Sequence, residues 1–432
     1  MPGSRETKYM LIFLAVATLL VVSRQAVSDP APPPSSPTLV VGTCLGASPY
    51  TTIQSAVTAA PSGGTVLVCP GTYPEQVTIT QPLTLKGVQV GNMDAAVITS
   101  PITGVVPNST NAVGTPVAAQ ILVEDTTGVN ISNLTVDGSG NGISSPCSGP
   151  WLAGIFYNTA SGKVEDVATR NQTPACGTGI GIYGVAEGGE SANLEILNNS
   201  VHSYSAAGIV MNRPGLKVTI EGNSVAGIGL AGLITEYGIQ VAFGAVGKVQ
   251  GNTVVDNVAP NTSIGPDAGI LVAYSSGVVV ANNSVGNTNN GIVTQSGPIQ
   301  GPADHTAIVG NTILATHNPG YTSGVGDGID VCSNSNFISG NTVFASDESA
   351  IHLDGTCTST GNNNVVKENR MNEACAGILE DIGTTGNATG FGNLFFNDVN
   401  TILHADGCTP GVFSDPRAAG AESSARSRIN PY

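Results

Sequence analysis

Ile196-Leu197-Asn198-Asn199-Ser200-Val201, followed by Gly208-Ile209-Val210-Met211, decides how this chain folds. The first segment has the form apolar-x-x-Asn-x-apolar, and the second is a Gly-Ile strand. The same pair of features returns along the chain, with the Asn at Asn199, Asn223, Asn252, Asn283, Asn311, Asn341, Asn369 and Asn393. Successive intervals are 24, 29, 31, 28, 30, 28 and 24 residues. A period of this size built from short strands predicts a solenoid, in which each repeat buries its apolar face only by stacking on its neighbours. Crossovers between parallel strands are right-handed, so the coil should be right-handed too. The expected fold is all-β, a right-handed parallel β-helix of about ten coils over residues 38–412. A corner Asn that donates to one coil and accepts from the next would form a ladder through the stack. In each Gly-Ile strand, from Gly179-Ile180 to Gly377-Ile378, the Ile is expected to point inward and the next residue outward.

Composition agrees with a β-solenoid. Gly is abundant (56 of 432 residues), charged residues make up 10%, and apolar residues make up 41%. Residues 1–28 read as an export signal. Arg5 and Lys8 precede an apolar run from Met10 to Val22, and Ala26-Val27-Ser28 supplies small residues for cleavage. Residues 29–37 form a Pro-rich spacer, and residues 413–432 a loose tail. The expected location is secreted, periplasmic or cell-surface, with no membrane contact after cleavage. The full chain carries a net charge of −16, and removing residues 1–28 makes it more acidic. Such a surface disfavours nucleic acid.

Eight cysteines in an exported chain predict disulfides. Paired in order they are Cys44–Cys69, Cys147–Cys176, Cys332–Cys357 and Cys375–Cys408, each pair about one coil apart in sequence. Near the start, Ile53, Ala56, Val57 and Ala60 line one face of a short helix with Thr51 or Thr52 as its cap. Placed over the open end of a solenoid, it would cover unpaired strand edges. Residues 91–120 lack the period and are expected to leave the coil, with the repeat proper starting near Ile121.

With both ends read, the chain resembles the pectin-lyase-like right-handed parallel β-helix superfamily over residues 38–410. Its Gly-Ile-x-Val and Asn-x-Val coils look like those of NosD-like proteins. Its opening, Thr52-Ile53-Gln54-Ser55-Ala56-Val57 with Val68-Cys69-Pro70-Gly71-Thr72-Tyr73-Pro74-Glu75, is similar to the first coils of pectin methylesterases. The catalytic segments of the methylesterases and of the mannuronan epimerases have no counterpart. Gly326-Asp327-Gly328-Ile329-Asp330 and Ser346-Asp347-Glu348-Ser349 resemble two polygalacturonase motifs, but the later Gly-His-Gly and Arg-Ile-Lys motifs are missing. The resemblance implies a carbohydrate-polymer partner. It leaves open whether a bond is broken.

Stacking the strands by their inward Ile puts Asp330 beside His352, with Asp354 and Asp381 two positions further along. These four are the candidate catalytic residues. Asn212, Gln240, Gln295, Asp327 and Asp347 would extend a polar strip for substrate. Three uses fit these residues. Close carboxylates could act as the acid and base, or as the acid and nucleophile, of a glycoside hydrolase. Asp330, Asp354 and Asp381 could hold Ca²⁺ for a lyase whose base would be Lys367 or Arg370. The face could bind sugar without chemistry, or belong to a monomeric, non-catalytic cell-surface or matrix protein. Tyr183, Tyr204, Tyr237 and Tyr274 are candidates for a stacking platform. His404 could reach the same end of the solenoid.

Overall fold

The computed structural model describes residues 37–46, 48–89, 95–144, 149–175, 177–229, 236–258, 267–318, 325–357 and 360–408. The expected signal peptide (1–28), most of the spacer, the tail (413–432) and the Cys147–Cys176 pair lie outside the described residues. Every coil runs through three strands. Sheet 1 holds thirteen strands, from Thr38–Val41 to Ala388–Phe391. Sheet 2 begins beyond the Asn corner and includes Ser200–Tyr204 and Thr253–Asn257. Sheet 3 holds the Gly-Ile strands, such as Ala207–Asn212, Tyr237–Ala242 and Ile329–Cys332. Neighbouring coils pair in parallel, as in Ile209↔Ile239↔Ile270↔Ile292. Thirteen strands in one sheet exceed the expected ten coils, because the first coils are short and carry no Asn motif.

The alternation of apolar residues builds one continuous core. In a single coil Ile239, Val241, Val249 and Val254 are all fully buried. Each such side chain contributes roughly 1.5–3 kcal/mol on leaving water. The Asn ladder runs unbroken through eight coils. Asn223 Nδ2 donates to Asn252 Oδ1 (2.9 Å), Asn252 Nδ2 to Asn283 Oδ1 (2.9 Å) and Asn283 Nδ2 to Asn311 Oδ1 (2.9 Å). The residue before each Asn turns a left-handed corner. Gly222 (φ 69°), Gly251 (64°), Gly310 (66°) and Asn282 (56°) occupy it, which explains the Gly-Asn and Asn-Asn pairs. The Gly before Ile answers a close approach. A methyl on Gly238 would lie 2.5 Å from the Gly269 carbonyl oxygen and inside the contact radius of Val254. A second ladder, Asn336 to Asn364 (2.9 Å) with Asn387 below, occupies another corner and has no counterpart in the motif reading.

Two expectations need correction. In Gly179-Ile180-Gly181-Ile182 it is Ile182, paired with Ile209, that faces the core; Ile180 pairs with Ala207 and packs on the outer side. Residues 91–120 do not leave the coil throughout. Ala96–Thr99 joins sheet 2, and Pro116–Glu124 joins sheet 3. Among the described residues of this stretch, the segment between them departs, with Ser109–Thr110 returning antiparallel against Pro116–Val117. The disulfides Cys44–Cys69, Cys332–Cys357 and Cys375–Cys408 form with Cα separations of 5.6, 5.6 and 6.1 Å, as the pairing in order requires.

The capping helix, Ile53–Ala59, is present with Thr52 as N-cap. Its buried face is Ile53, Ala56 and Val57. Its first turn is also capped from the next coil, since Glu75 accepts from the Ile53 and Gln54 amides at 2.7 and 2.9 Å. A carboxylate on two amides at a helix start is a strong cap. Glu75→Ala should therefore lower stability by about 1–2 kcal/mol, read by urea denaturation. An unchanged midpoint would show that Thr52 alone suffices.

Candidate functional site

Sheet 3 presents an outer row in which register sets every neighbour. The row reads Tyr183, Val210, Gln240, Leu271, Val293, Asp330, His352 and Leu379. Asp330 and His352 thus stand side by side on adjacent strands. Asp354 and Asp381 follow the ends of Thr342–Leu353 and Arg370–Glu380, and their amides donate to Val331 and Leu353 carbonyls at 3.1 and 3.2 Å. The four candidate residues converge on a cleft of about 400 Å³.

His352 is the centre of the polar network. Its Nδ1 lies 3.2 Å from Asp327 Oδ2, and its Nε2 lies 3.1 Å from Asp381 Oδ1. Burial alone would lower its pKa, but the two carboxylates hold the imidazolium well above its ordinary range. Asp327 is fixed in turn by the Ser349 amide (3.0 Å) and hydroxyl (2.6 Å). The second Asp381 oxygen accepts from Gly355 N at 2.9 Å. Although burial opposes it, these donors hold Asp381 below the usual carboxylate range.

Asp330 behaves in the opposite way. Burial, and then the Asp354 charge, push its carboxyl well above the usual range. Its Oδ1 is buried without a hydrogen-bond partner. Oxygen atoms of Asp330 and Asp354 lie within 4.8 Å of one another. Asp354 is also raised, chiefly by burial, while its Oδ1 accepts from Thr356 N at 2.6 Å. Glu348, on the cleft wall, is raised to about 7 by burial and by Asp327. Carboxyl groups shifted in opposite directions, Asp330 and Asp354 up and Asp381 down, are therefore set in one cleft, which is the arrangement general acid–base chemistry needs.

Other expected site residues fall elsewhere. Asp327 is fully buried beneath His352 and positions it instead of meeting a ligand. Asp347 accepts from Asn318 N at 2.8 Å and does not line the cleft. Gln295 lines the cleft, but Asn212 and Gln240 bond each other at 3.0 Å further up the sheet. Leu271 and Val293 separate Gln240 from Asp330, and Ala242 and Ala273 separate Asn212 from Gln295, so apolar residues interrupt the expected polar strip. Of the four tyrosines only Tyr237 reaches the cleft. Tyr204 points into the core with its hydroxyl on Asn257 (2.7 Å), Tyr183 stacks on Phe156 (4.5 Å), and Tyr274 tilts against Phe243 (5.2 Å). His404 pairs with Glu380 at 3.1 Å, away from the cleft. Lys367 lies over Phe337 and Arg370 over Phe396, so neither is placed to take a proton in the cleft. Asp406 lines the cleft and escaped the sequence reading. Its spacing of 25 residues after Asp381 was the available signal, hidden because the Gly-Ile pattern fades there.

A second buried acid pair lies outside the cleft. Glu236 and Asp267 are fully buried, and Asp267 Oδ1 accepts from Glu236 N at 2.7 Å. Burial raises Glu236 to about 9 and Asp267 to about 7. A carboxyl whose folded pKa is raised stabilises the fold fully below about pH 4, and that contribution is lost as pH climbs through the folded value. The raised His352 acts in the same direction, fully present below about pH 6.5 and lost above. Asp381 and Asp137, lowered in the fold, act oppositely below about pH 4. Stability should accordingly fall between pH 5 and 9, by up to about 1.4 kcal/mol per pH unit for each titrating group, and the melting temperature with it. Glu236→Gln should flatten that fall. A melting temperature that rises across this range would contradict the assignment.

Residues 119–313 match the family described as right handed beta helix region. Fold and match together define the class: this is a right-handed parallel β-helix. Similar solved structures include a hyperthermoactive exopolygalacturonase from Thermotoga maritima, with TM-score 0.53 and 11% identity over 80% of this chain and 88% of that one. The catalytic domain of a GH87 α-1,3-glucanase in complex with nigerose gives 0.52 and 14%, over 87% and 70%. The Dettilon tailspike protein gives 0.58 and 13%, over 83% and 68%. At these identities the likeness concerns the fold. No curated protein matches the sequence.

Proposed function

We propose that this is an exported, monomeric β-helix protein that binds a polysaccharide at the sheet 3 cleft and hydrolyses it there. The observation that carries the reading is the buried Asp330 carboxyl, its Oδ1 without a hydrogen-bond partner, within 4.8 Å of Asp354 and beside the network of His352 and Asp381. Asp330 would protonate the leaving glycosidic oxygen as the Asp354 carboxylate attacks the anomeric carbon; water, giving its proton to Asp330, would then cleave the glycosyl–Asp354 ester and release the sugar. His352 and Asp327 position Asp381 and neutralise part of the cleft's charge. Export is supported by three disulfides and by the basic, apolar and small-residue order of residues 1–28. The architecture shared with a polygalacturonase and a glucanase is consistent with this reading but does not supply the residues.

A lyase is disfavoured, because no Lys or Arg among the described residues lines the cleft. Calcium at Asp330, Asp354 and Asp381 would need six to eight oxygens. Both Asp381 oxygens and one of Asp354 already accept hydrogen bonds. Chelation should leave activity and melting temperature unchanged. The test is a glycan array followed by reducing-end release and by absorbance of unsaturated product at about 235 nm. New reducing ends without absorbance support hydrolysis. Binding without cleavage would make this a non-catalytic surface or matrix protein, and an absence of binding would remove the carbohydrate reading.

A further inference from the structure

We propose that the cleft accepts an uncharged glycan and rejects polyuronates, with Tyr237, Leu271 and Val293 forming a floor for the apolar face of a sugar ring. This rests on the glycan-site reading and adds the substrate's charge and the platform that selects it. Five carboxyl groups line the cleft: Asp330, Glu348, Asp354, Asp381 and Asp406. Its one basic side chain, His352, has both ring nitrogens committed to Asp327 and Asp381.

None of the described lysines and arginines lines the cleft, and most are engaged elsewhere. Lys163, Arg170 and Lys248 pair with Glu165, Asp137 and Glu221. Arg213, Lys367 and Arg370 lie over Phe243, Phe337 and Phe396. A uronate entering the cleft would lose water, meet like charge and find no cationic partner among these residues. Desolvation and repulsion then act together against it.

The other half of the cleft supplies attraction of a different kind. Leu271 and Val293 succeed one another in the outer row, two coils and one coil before Asp330. Tyr237 stands beside Ala268 on the strand above. The acidic end and the apolar floor are thus contiguous along the solenoid axis, at spacings of about 4.8 Å per coil. A pyranose offers an apolar C–H face to such a floor, while its hydroxyls reach the half-buried Gln295 at the edge.

The experiment measures binding of size-matched oligosaccharides to the full chain, by calorimetry in low and in about 0.5 M salt. The neutral probes are gluco-, galacto- and xylo-oligosaccharides, and the acidic probes are oligogalacturonate and oligomannuronate. At least one neutral probe should bind about tenfold or more tightly than either uronate, with little dependence on salt. Tyr237→Ala should weaken that binding by about tenfold while the melting curve is retained. Gln295→Lys puts a cation at the cleft edge and should raise uronate binding, which keeps the test decisive if the tyrosine variant fails to fold. Uronate binding equal to or tighter than every neutral probe overturns this inference and leaves the glycan site standing. Failure of both classes to bind overturns the site reading itself.

Discussion

Asn252→Leu should destabilise the solenoid by about 3–6 kcal/mol, although the substitution places an apolar residue in a fully buried position. Asn252 Nδ2 donates to Asn283 Oδ1 and to the Ile220 carbonyl, at 2.9 and 3.0 Å. Its Oδ1 accepts from the amide and the side chain of Asn223, both at 2.9 Å. Leucine leaves the Asn223 amide, one Asn223 side-chain proton and the Ile220 carbonyl without those partners, away from water. An unmade buried hydrogen bond costs about 1–3 kcal/mol per group, more than the methyl groups return. Asn252→Asp offers a sharper version. It retains both acceptor contacts but, when ionised, cannot donate, so it should melt low at neutral pH and recover partly near pH 4, when protonated. Because repeat arrays need not unfold in one step, amide exchange at Asn223 and Asn283 should accompany the melting curves. A loss below about 1 kcal/mol with unchanged exchange would reduce the ladder to a by-product of composition.

Asp330→Asn should abolish turnover by about 10²–10⁴-fold while leaving the fold intact or firmer. Asn has no proton to give to a leaving oxygen, so the acid role disappears. The asparagine amide is neutral, so the cost of keeping a buried acid protonated disappears as well. Asp354→Asn should reduce turnover by a similar factor, and the double variant should be little worse than either single one, since the two carboxyls act as a unit. The pH profile of the wild type should fall on its alkaline side as Asp330 loses its proton, at a pH well above the ordinary carboxylate range. Single variants that retain full turnover would remove both residues from the mechanism. Thermal melts separate this from misfolding, because loss of activity here is expected without a drop in melting temperature.

The eight asparagines and the Gly-Ile strands made the coil legible, because a stacked fold repeats the same local demands at the same spacing. A left-handed corner calls for Gly or Asn, a buried corner for Asn, a close backbone approach for Gly. Each demand leaves a residue-type signature. The same register placed Asp330 beside His352 from the sequence alone. It failed at Ile180, where two isoleucines two positions apart are equally apolar and only pairing with Ile209 selects Ile182. It did not foresee the burial of Asp327 or the apolar residues between Gln240 and Asp330. Sequence position assigns a face, but which polar groups are buried under a neighbour, and which are separated by Leu271 and Val293, depends on what packs over them.

The sequence by itself determined the solenoid, its cap, the corner ladder and the order of disulfide pairing in the described pairs, since all of these follow from contacts between equivalent positions one coil apart. The tertiary structure alone decided that the acids of the last coils close into a cleft, that His352 is clamped between two of them, and that Asp330 is deprived of water while Asp381 is stabilised as an anion. Protonation depends on the local field and on burial, and those are properties of assembled coils that no single repeat contains.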